Sequence, residues 1–315
     1  MRLVFLEVED VDRDTIERLA ARHEIEIYGS VMDEPMLAEV CRDAEVISPF
    51  IYSKIGRRVI DAAHGLRLIT TRSTGYEHID VRYAEEKGVK VCNVPQYGMN
   101  TVAEHAFALL LDVVRHLSRS WESVKKGNFS YEGFRGRDLK GKTLGVIGTG
   151  RIGLHAIRIA KGFEMDVLAY DVVLNREAER DLGFRYVDLH TLLERADVVT
   201  IHVPLLKDTY HLINKERVKR MKHGAIVINT ARGGIVETDA LVYGLKEGIL
   251  GGVGLDVLED ERALAADHPL LKMKNVVISP HTAFYTDEAM TRILHTTFEN
   301  IEAFEQGRPI NTVTG

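Results

Sequence analysis

The sequence has little that would staple, anchor or strongly charge it. Cys41 and Cys92 are its two cysteines, far apart in 315 residues. That argues against a disulfide framework and against a cysteine-based metal site. The most apolar stretch, AFALLLDVV (106–114), is too short to span a bilayer and is interrupted by Asp112. The opening MRLVFLEVEDVD meets acids after a short apolar run and does not fit a signal peptide. No basic excess exists: the formal net charge is −6, both signs are spread along the chain, and a nucleic-acid binder would show the opposite balance. H-E-x-x-H and G-x-S-x-G are missing, so zincin and serine-hydrolase chemistry have no support. No solenoid-period repeat and no low-complexity segment is visible. The expectation is a reduced, cytoplasmic protein with no metal, nucleic-acid or membrane partner.

What is present is ordinary globular material, 45% apolar and 28% charged, in a chain long enough for two domains. Short apolar runs at 2–8, 44–48, 66–70 and 89–94 read as strands, separated by amphipathic segments such as 12–23 and 77–88. This alternation predicts parallel strands joined by crossover helices. The pattern restarts after residue 140, with strands expected at 143–147, 166–170, 197–201, 224–229, 252–256 and 275–279, and helices at 151–163 and 237–247. Two α/β units follow, roughly 1–97 and 98–282. Spacing alone leaves open which unit receives a final helix at 286–305. The segment 101–127 reads as one helix, apolar nearly all round in its first half. Such a helix must be buried on several sides, by a domain contact or by a second copy of the chain.

Two phosphate-binding patterns overlap in GRDLKGKTLGVIGTGRIG (136–153). Gly136–Thr143 fits a triphosphate loop, but that loop needs a strand before it and a helix after it, and here a strand, TLGVIG, follows. Gly148, Gly150 and Gly153 fit the dinucleotide pattern, and their context is right. A strand leads in, a helix beginning RIGLHAIRIAKGF follows, and the next strand, DVLAY, ends at Asp171, 18 positions after Gly153. The first glycine serves a tight turn, the second admits a pyrophosphate, and the third lets helix and strand pack. A carboxylate at Asp171 accepts hydrogen bonds from the adenosine ribose and repels a 2′-phosphate, so the expected cofactor is NAD rather than NADP. A glycine turn without a ligand is the bland alternative.

In such sheets ligands collect at the carboxyl ends of the strands. Four ends here are chemically loaded: His202, Val203 and Pro204; Asn229, Thr230 and Arg232; Asp256 and then Glu261; and His281. Each has an innocent reading alone, as a surface charge, an acidic loop or a helix cap. Together they suit reduction of a keto acid. His281 is the expected acid/base, Glu261 its partner, and Arg232 the clamp for the substrate carboxylate. Asp256 either supports the site or contacts the nicotinamide end. The full set expected to bind the cofactor is Gly148, Gly150, Arg151, Ile152, Gly153, Asp171, His202, Val203, Pro204, Thr209, Thr230, Ala231 and Asp256.

The motifs STGYEHID (73–80), VAEHAFALLL (102–111), LGVIGTGRIG (144–153), HVPL (202–205), INTARGG (228–234), GLDVLEDE (254–261) and SPHTAFYT (279–286) resemble, in this order, those of the D-isomer-specific 2-hydroxyacid dehydrogenases. The likeness covers nearly the whole chain and places that family's catalytic Arg, Glu and His on Arg232, Glu261 and His281. It implies an α/β fold of two Rossmann-like domains. A doubly wound NAD-binding domain (98–282) would be inserted in a flavodoxin-like substrate domain (1–97 with 283–315), and the long apolar helix would serve a homodimer. It also implies substrate contacts from Tyr52, Thr74, Gly75, Tyr97 and Phe284, beside Arg232 and His281. HTAFYT looks most like the D-lactate dehydrogenase branch. The expected function is therefore interconversion of pyruvate and D-lactate, with reduction of 2-ketobutyrate, phenylpyruvate, hydroxypyruvate or glyoxylate as the alternative. An NAD-sensing module like the family's corepressors is a minor alternative. One departure is Arg262, where many members carry proline after the Glu.

Overall fold

The computed structural model describes every residue except Ala20, Arg262, Ala263 and Gly315; the Glu261-to-Arg262 departure thus lies partly outside the described residues. The chain divides into two compact units, residues 1–97 with 286–315, and residues 98–285. Residues 283–285, expected with the first unit, group with the second.

The first unit opens with β1 (Arg2–Phe5), α1 (Asp10–Leu19), β2 (Glu24–Ile27), α2 (Glu34–Val40), β3 (Val46–Ser48), α3 (Arg57–Ala62), β4 (Leu68–Thr70), α4 (Val81–Glu86) and β5 (Lys90–Cys92). All pairings are parallel, in the order β2-β1-β3-β4-β5. This is the flavodoxin-like order, with its switch point between β1 and β3. β3 and β4 are buried throughout, as parallel strands covered on both faces should be. β2 lies at the sheet edge and escaped the sequence reading because its EIEI alternates charge with isoleucine. α4 is shorter than expected. Glu77 and His78 form a turn, Ile79 bridges to Ile55, and the Asp80 carboxylate caps the helix by accepting the Tyr83 amide at 3.1 Å.

The second unit begins with α5 (Met99–Arg115) and α6 (Leu117–Lys125), then β6 (Thr143–Ile147), α7 (Arg151–Gly162), β7 (Asp166–Tyr170), α8 (Arg176–Leu182), β8 (Arg185–Tyr186), α9 (Leu189–Arg195), β9 (Val198–Ile201), α10 (Lys215–Val218), β10 (Ala225–Asn229), α11 (Thr238–Lys246), β11 (Leu250–Leu255) and β12 (Val276–Ile278). Its parallel sheet runs β12-β11-β10-β9-β6-β7-β8, reversing direction between β9 and β6. The single helix expected at 101–127 is two helices. His116 takes a left-handed conformation at φ 56°, and the Asp112 carboxylate accepts the Ser118 amide at 2.8 Å, starting the second helix on a new axis. The apolar first half does what its composition requires: Ala103, Ala106, Phe107, Leu109, Leu110, Val113 and Val114 are buried, and the helix packs against α7, β10, β11 and β12.

The last helix, α12 (Asp287–Glu305), belongs to the first unit. Phe298 stacks on Phe5 with ring centroids 5.6 Å apart, and Leu294 and Ile301 complete the same core. Among the described residues no helix is long and apolar enough to cross a membrane.

Candidate active site

β6 is a continuous buried run that delivers the chain to Gly148 at the carboxyl edge of the seven-stranded sheet. Gly148 adopts φ 94°, and a side chain there would strike the His202 carbonyl oxygen at 2.5 Å. Gly153, one turn into α7, lies so close that a Cβ would sit 2.0 Å from the Gly148 carbonyl oxygen. Gly150 faces open space, and no side chain caps α7, so the first-turn amides and the helix dipole face outward together. Asp171, just past β7, accepts the Thr149 amide at 2.6 Å and the Thr149 hydroxyl at 3.0 Å. Burial pushes the Asp171 carboxyl up, but these bonds and those from the Val172 and Val173 amides outweigh it and hold it below the ordinary value. Tyr186, which sequence reasoning did not single out, shares its hydroxyl with Thr149 at 2.6 Å; a two-residue strand gives no signal for it.

The neighbouring strand ends supply the rest. His202 donates or accepts through Nε2 with the Thr200 hydroxyl at 3.0 Å, and desolvation brings its imidazole down to about 4, so it is neutral. Thr209 folds its own turn, donating to the Pro204 carbonyl at 2.6 Å and accepting the Leu206 amide at 2.7 Å. Thr230 holds a buried hydroxyl with no hydrogen-bond partner among the described residues. A buried hydroxyl is costly unless something bonds it. With the open glycine cradle and the Asp171 carboxylate, it makes this edge chemically fit for a dinucleotide.

After β10 the Asn229 side chain ties the turn that follows, accepting the Ala231 amide at 3.0 Å and donating to the Arg232 carbonyl at 2.9 Å. After β11 the Asp256 carboxylate, 2% exposed, accepts the Ser279 hydroxyl at 2.6 Å and the Thr282 and Ala283 amides at 2.8 Å each. His105 on α5 reaches the same cluster, 2.8 Å from the Ser279 hydroxyl. Asp256 thereby holds the loop on which His281 sits at φ 55°, a left-handed conformation rare for a non-glycine residue. His105 and Ser279 were not expected as site residues, since a polar residue near a strand end reads equally well as a simple cap.

These supports bring three predicted residues together. Arg232, Glu261 and His281 line one cavity of about 380 Å³, with Leu205, Gly233 and Gly234. His281 Nδ1 lies 3.0 Å from Glu261 Oε1, both groups partly exposed. Burial pushes the Glu261 carboxyl up, but the His281 hydrogen bond and the charges of His281 and Arg232 hold it below its ordinary value. Phe284 sits edge-on to His281, centroids 6.4 Å apart, with Tyr285 edge-on to Phe284. An imidazole fixed at one nitrogen by a carboxylate, beside a guanidinium, can exchange a proton with a substrate oxygen while its anionic end is held.

In the first unit Tyr52 is 40% exposed, and its amide donates to Glu7 Oε2 at 2.9 Å. Thr74 and Gly75 form a tight loop. The Thr74 hydroxyl donates to the Val94 carbonyl at 2.8 Å, and the Ser73 hydroxyl donates to the Gly75 carbonyl at 2.6 Å. The Tyr97 carbonyl accepts from Arg292 Nε at 2.7 Å.

The family model for the NAD-binding domain of D-isomer-specific 2-hydroxyacid dehydrogenases matches residues 107–283. The chain belongs to that family. It is 38% identical to the D-lactate dehydrogenase of Aquifex aeolicus solved with NAD and lactic acid, over 99% of each chain, with a TM-score of 0.87. It is 34% identical to the apo D-lactate dehydrogenase of Escherichia coli, over 99% of this chain and 100% of that one, with a TM-score of 0.92. A glyoxylate reductase of Thermococcus litoralis is 37% identical over 96% of this chain and 94% of its own. This dehydrogenase is an NAD-dependent oxidoreductase of D-2-hydroxyacids. Its family domain contains all the glycines, Asp171 and the Arg232, Glu261 and His281 set described above.

Proposed function

We propose that the protein is a D-lactate dehydrogenase interconverting pyruvate and D-lactate in the cytoplasm. The observation that carries this reading is the convergence of Arg232, Glu261 and His281 on one cavity with His281 Nδ1 held by Glu261 at 3.0 Å. NAD, when bound, supplies the hydride chemistry, held by the glycine turn, Asp171 and the Thr230 hydroxyl. His281 presents Nε2 to the substrate oxygen, giving a proton in reduction and taking it back in oxidation. Glu261 keeps the ring oriented. Arg232 holds the carboxylate and polarises the carbonyl. Tyr52, Thr74, Gly75 and Tyr97 are further proposed substrate contacts. The Phe284–Tyr285 pair beside His281 supports a short methyl side chain over a hydroxylated one, as do the two solved relatives named D-lactate dehydrogenases.

The glyoxylate reductase relative, as similar as these, keeps a second substrate in view. Initial rates of NADH oxidation with pyruvate, 2-ketobutyrate, phenylpyruvate, hydroxypyruvate and glyoxylate separate the readings. Pyruvate should give the highest kcat/KM, and a preference for glyoxylate or hydroxypyruvate would overturn that assignment. His281→Ala should lower pyruvate reduction by about 10²–10⁴-fold while NADH still binds; an active variant would remove the mechanism.

A homodimer is part of the proposal. α6 buries none of its residues, and Leu117, Trp121 and Val124 expose one apolar stripe at helical spacing, 64%, 59% and 37% exposed. Phe129 and Tyr131 follow, almost fully exposed. Apolar surface of this kind calls for a partner, and a second copy is the simplest one. Light scattering on the eluted protein should give twice the chain mass, and Trp121→Glu should weaken that association.

A further inference from the structure

Glu259, in the cavity wall, forms with His211 a second imidazole–carboxylate pair that the proposed chemistry does not use. His211 Nε2 lies 2.6 Å from Glu259 Oε1, and the other oxygen of Glu259 accepts the Thr238 amide at 2.6 Å, at the start of α11. Burial pushes the Glu259 carboxyl up, but the bonds from Thr238 and His211 outweigh it and keep it ionised. His211 is itself held in an uncommon geometry. Its φ is 48°, its amide donates to the Gly234 carbonyl at 2.9 Å, and its ring stacks on Tyr210 with centroids 3.9 Å apart. A left-handed histidine carries a conformational cost that surrounding contacts must offset.

These bonds join three loops. His211 belongs to the loop after β9, Gly234 and Thr238 to the segment after β10, and Glu259 to the loop after β11. Arg232 is adjacent to Gly233, and Glu261 is two residues beyond Glu259. The backbones of the last two loops touch directly, for a Cβ on Gly233 would lie 2.0 Å from the Leu258 carbonyl carbon and 2.5 Å from the Glu259 nitrogen. We propose that His211 and Glu259 are positioning residues that fix the loop bearing Glu261 against the loop bearing Arg232. The pair acts through backbone register: Glu259 is pinned at both oxygens, so the two-residue path to Glu261 starts from a fixed point. Glu261 is then delivered to His281, and Arg232 stays at the height set by Gly233.

This inference rests on the proposed roles of Arg232, Glu261 and His281. Its test compares Glu259→Ala, Glu259→Gln, His211→Ala and His211→Gln with the wild type in NADH-dependent reduction of 2-keto acids across about pH 5 to 9. A glutamine at 211 places an amide N–H near the position of Nε2 and should restore what alanine loses. Glu259→Ala and His211→Ala should lower kcat by about 10- to 100-fold, the scale of a small misplacement of a reacting group. NADH affinity by fluorescence titration should stay within about 3-fold of wild type, a difference below 1 kcal/mol. The pH profile of kcat/KM should differ from that of the wild type as Glu261 loses its fixed place beside His281. His211→Gln should recover most of the rate and the profile.

Unchanged kinetics in the alanine variants would overturn the proposal. So would lower rates with an unmoved pH profile and no rescue by glutamine, which is what general loosening produces. If Glu259→Ala does not fold, the His211 pair decides alone. A wild type inactive on every 2-keto acid defeats the underlying reading and this inference together, whereas an active wild type with indifferent variants defeats this inference only.

Discussion

The carboxyl edges of the five-stranded and seven-stranded sheets both carry charged residues, yet they treat them differently. After β4 the Arg72 side chain, 3% exposed, turns into its own unit, donating to the Ser48 carbonyl at 3.1 Å, the Glu7 carbonyl at 3.0 Å and the Leu6 carbonyl. Desolvation pulls its guanidinium down to about 10, which still leaves it charged at neutral pH. Glu7, just past β1, points its carboxylate at the Tyr52 and Ser53 amides. After β10, β11 and β12, by contrast, Arg232, Glu261 and His281 line an open cavity. Burying a charge is costly unless hydrogen bonds replace water. The first edge meets that cost to fix its loops in place; the second leaves its charges where a substrate can reach them. Parallel α/β topology makes both edges available, and the side chains placed there decide which becomes chemical.

The largest effect expected from breaking this contrast lies at the open edge. Gly153→Ala puts a methyl group 2.0 Å from the Gly148 carbonyl oxygen, so α7 must move off the turn that is to hold the pyrophosphate. NADH affinity should fall by about 10³-fold, near 4 kcal/mol, in a fluorescence titration. Binding within tenfold of wild type would mean that the turn tolerates a shifted helix and does not set cofactor affinity.

The closed edge should respond in stability instead. Arg72→Leu takes the guanidinium donor from the Leu6 and Glu7 carbonyls, while the Ser48 carbonyl keeps the Leu6 amide at 3.0 Å, and incomplete solvation of such groups costs about 1–3 kcal/mol each where water does not enter. Urea unfolding should show a loss of about 3 kcal/mol, with NADH titration unchanged. If Arg72→Leu instead left stability intact and abolished pyruvate turnover, the guanidinium would belong to the chemistry and the contrast between the edges would fail.

The open edge was the more legible of the two. The glycines, Asp171 and the strand–turn–helix order carry a geometry that almost any chain with those residues must adopt, and β6 and β7 fall on their expected residues. Arg232, Glu261 and His281 stood out because polar residues close otherwise apolar strands. Less visible was everything that depends on contacts distant in sequence. β2 hides because an edge strand needs only one apolar face. The break at His116 has no glycine to announce it; it follows from Asp112 reaching Ser118. Tyr186 is an ordinary residue until the fold brings its partners to it, and Glu259 reads as one more acid in LEDE. Arg72 sits in a polar run, TTRST, where burial is the last thing composition suggests.

The smallest expected effect concerns His202, at the open edge but turned inward. Its folded value of about 4 lies below the unfolded value of 6.5, because desolvation disfavours the charged ring. The unfolded chain therefore binds more protons than the folded one between those values. Stability from this group is full above pH 6.5 and is lost as pH falls toward 4. The whole difference would be about 3 kcal/mol, and partial solvent access reduces that to about 1–2 kcal/mol. Carboxylates held low, such as Asp171, Asp256 and Glu261, lose their contribution at lower pH, so the window between about 4.5 and 6.5 isolates the imidazole. Urea midpoints across that window should decline in the wild type and decline less in His202→Asn. An equal slope in both would place the ring in water when folded. The open edge would then be more hydrated beneath the glycine turn than the buried Thr230 hydroxyl implies.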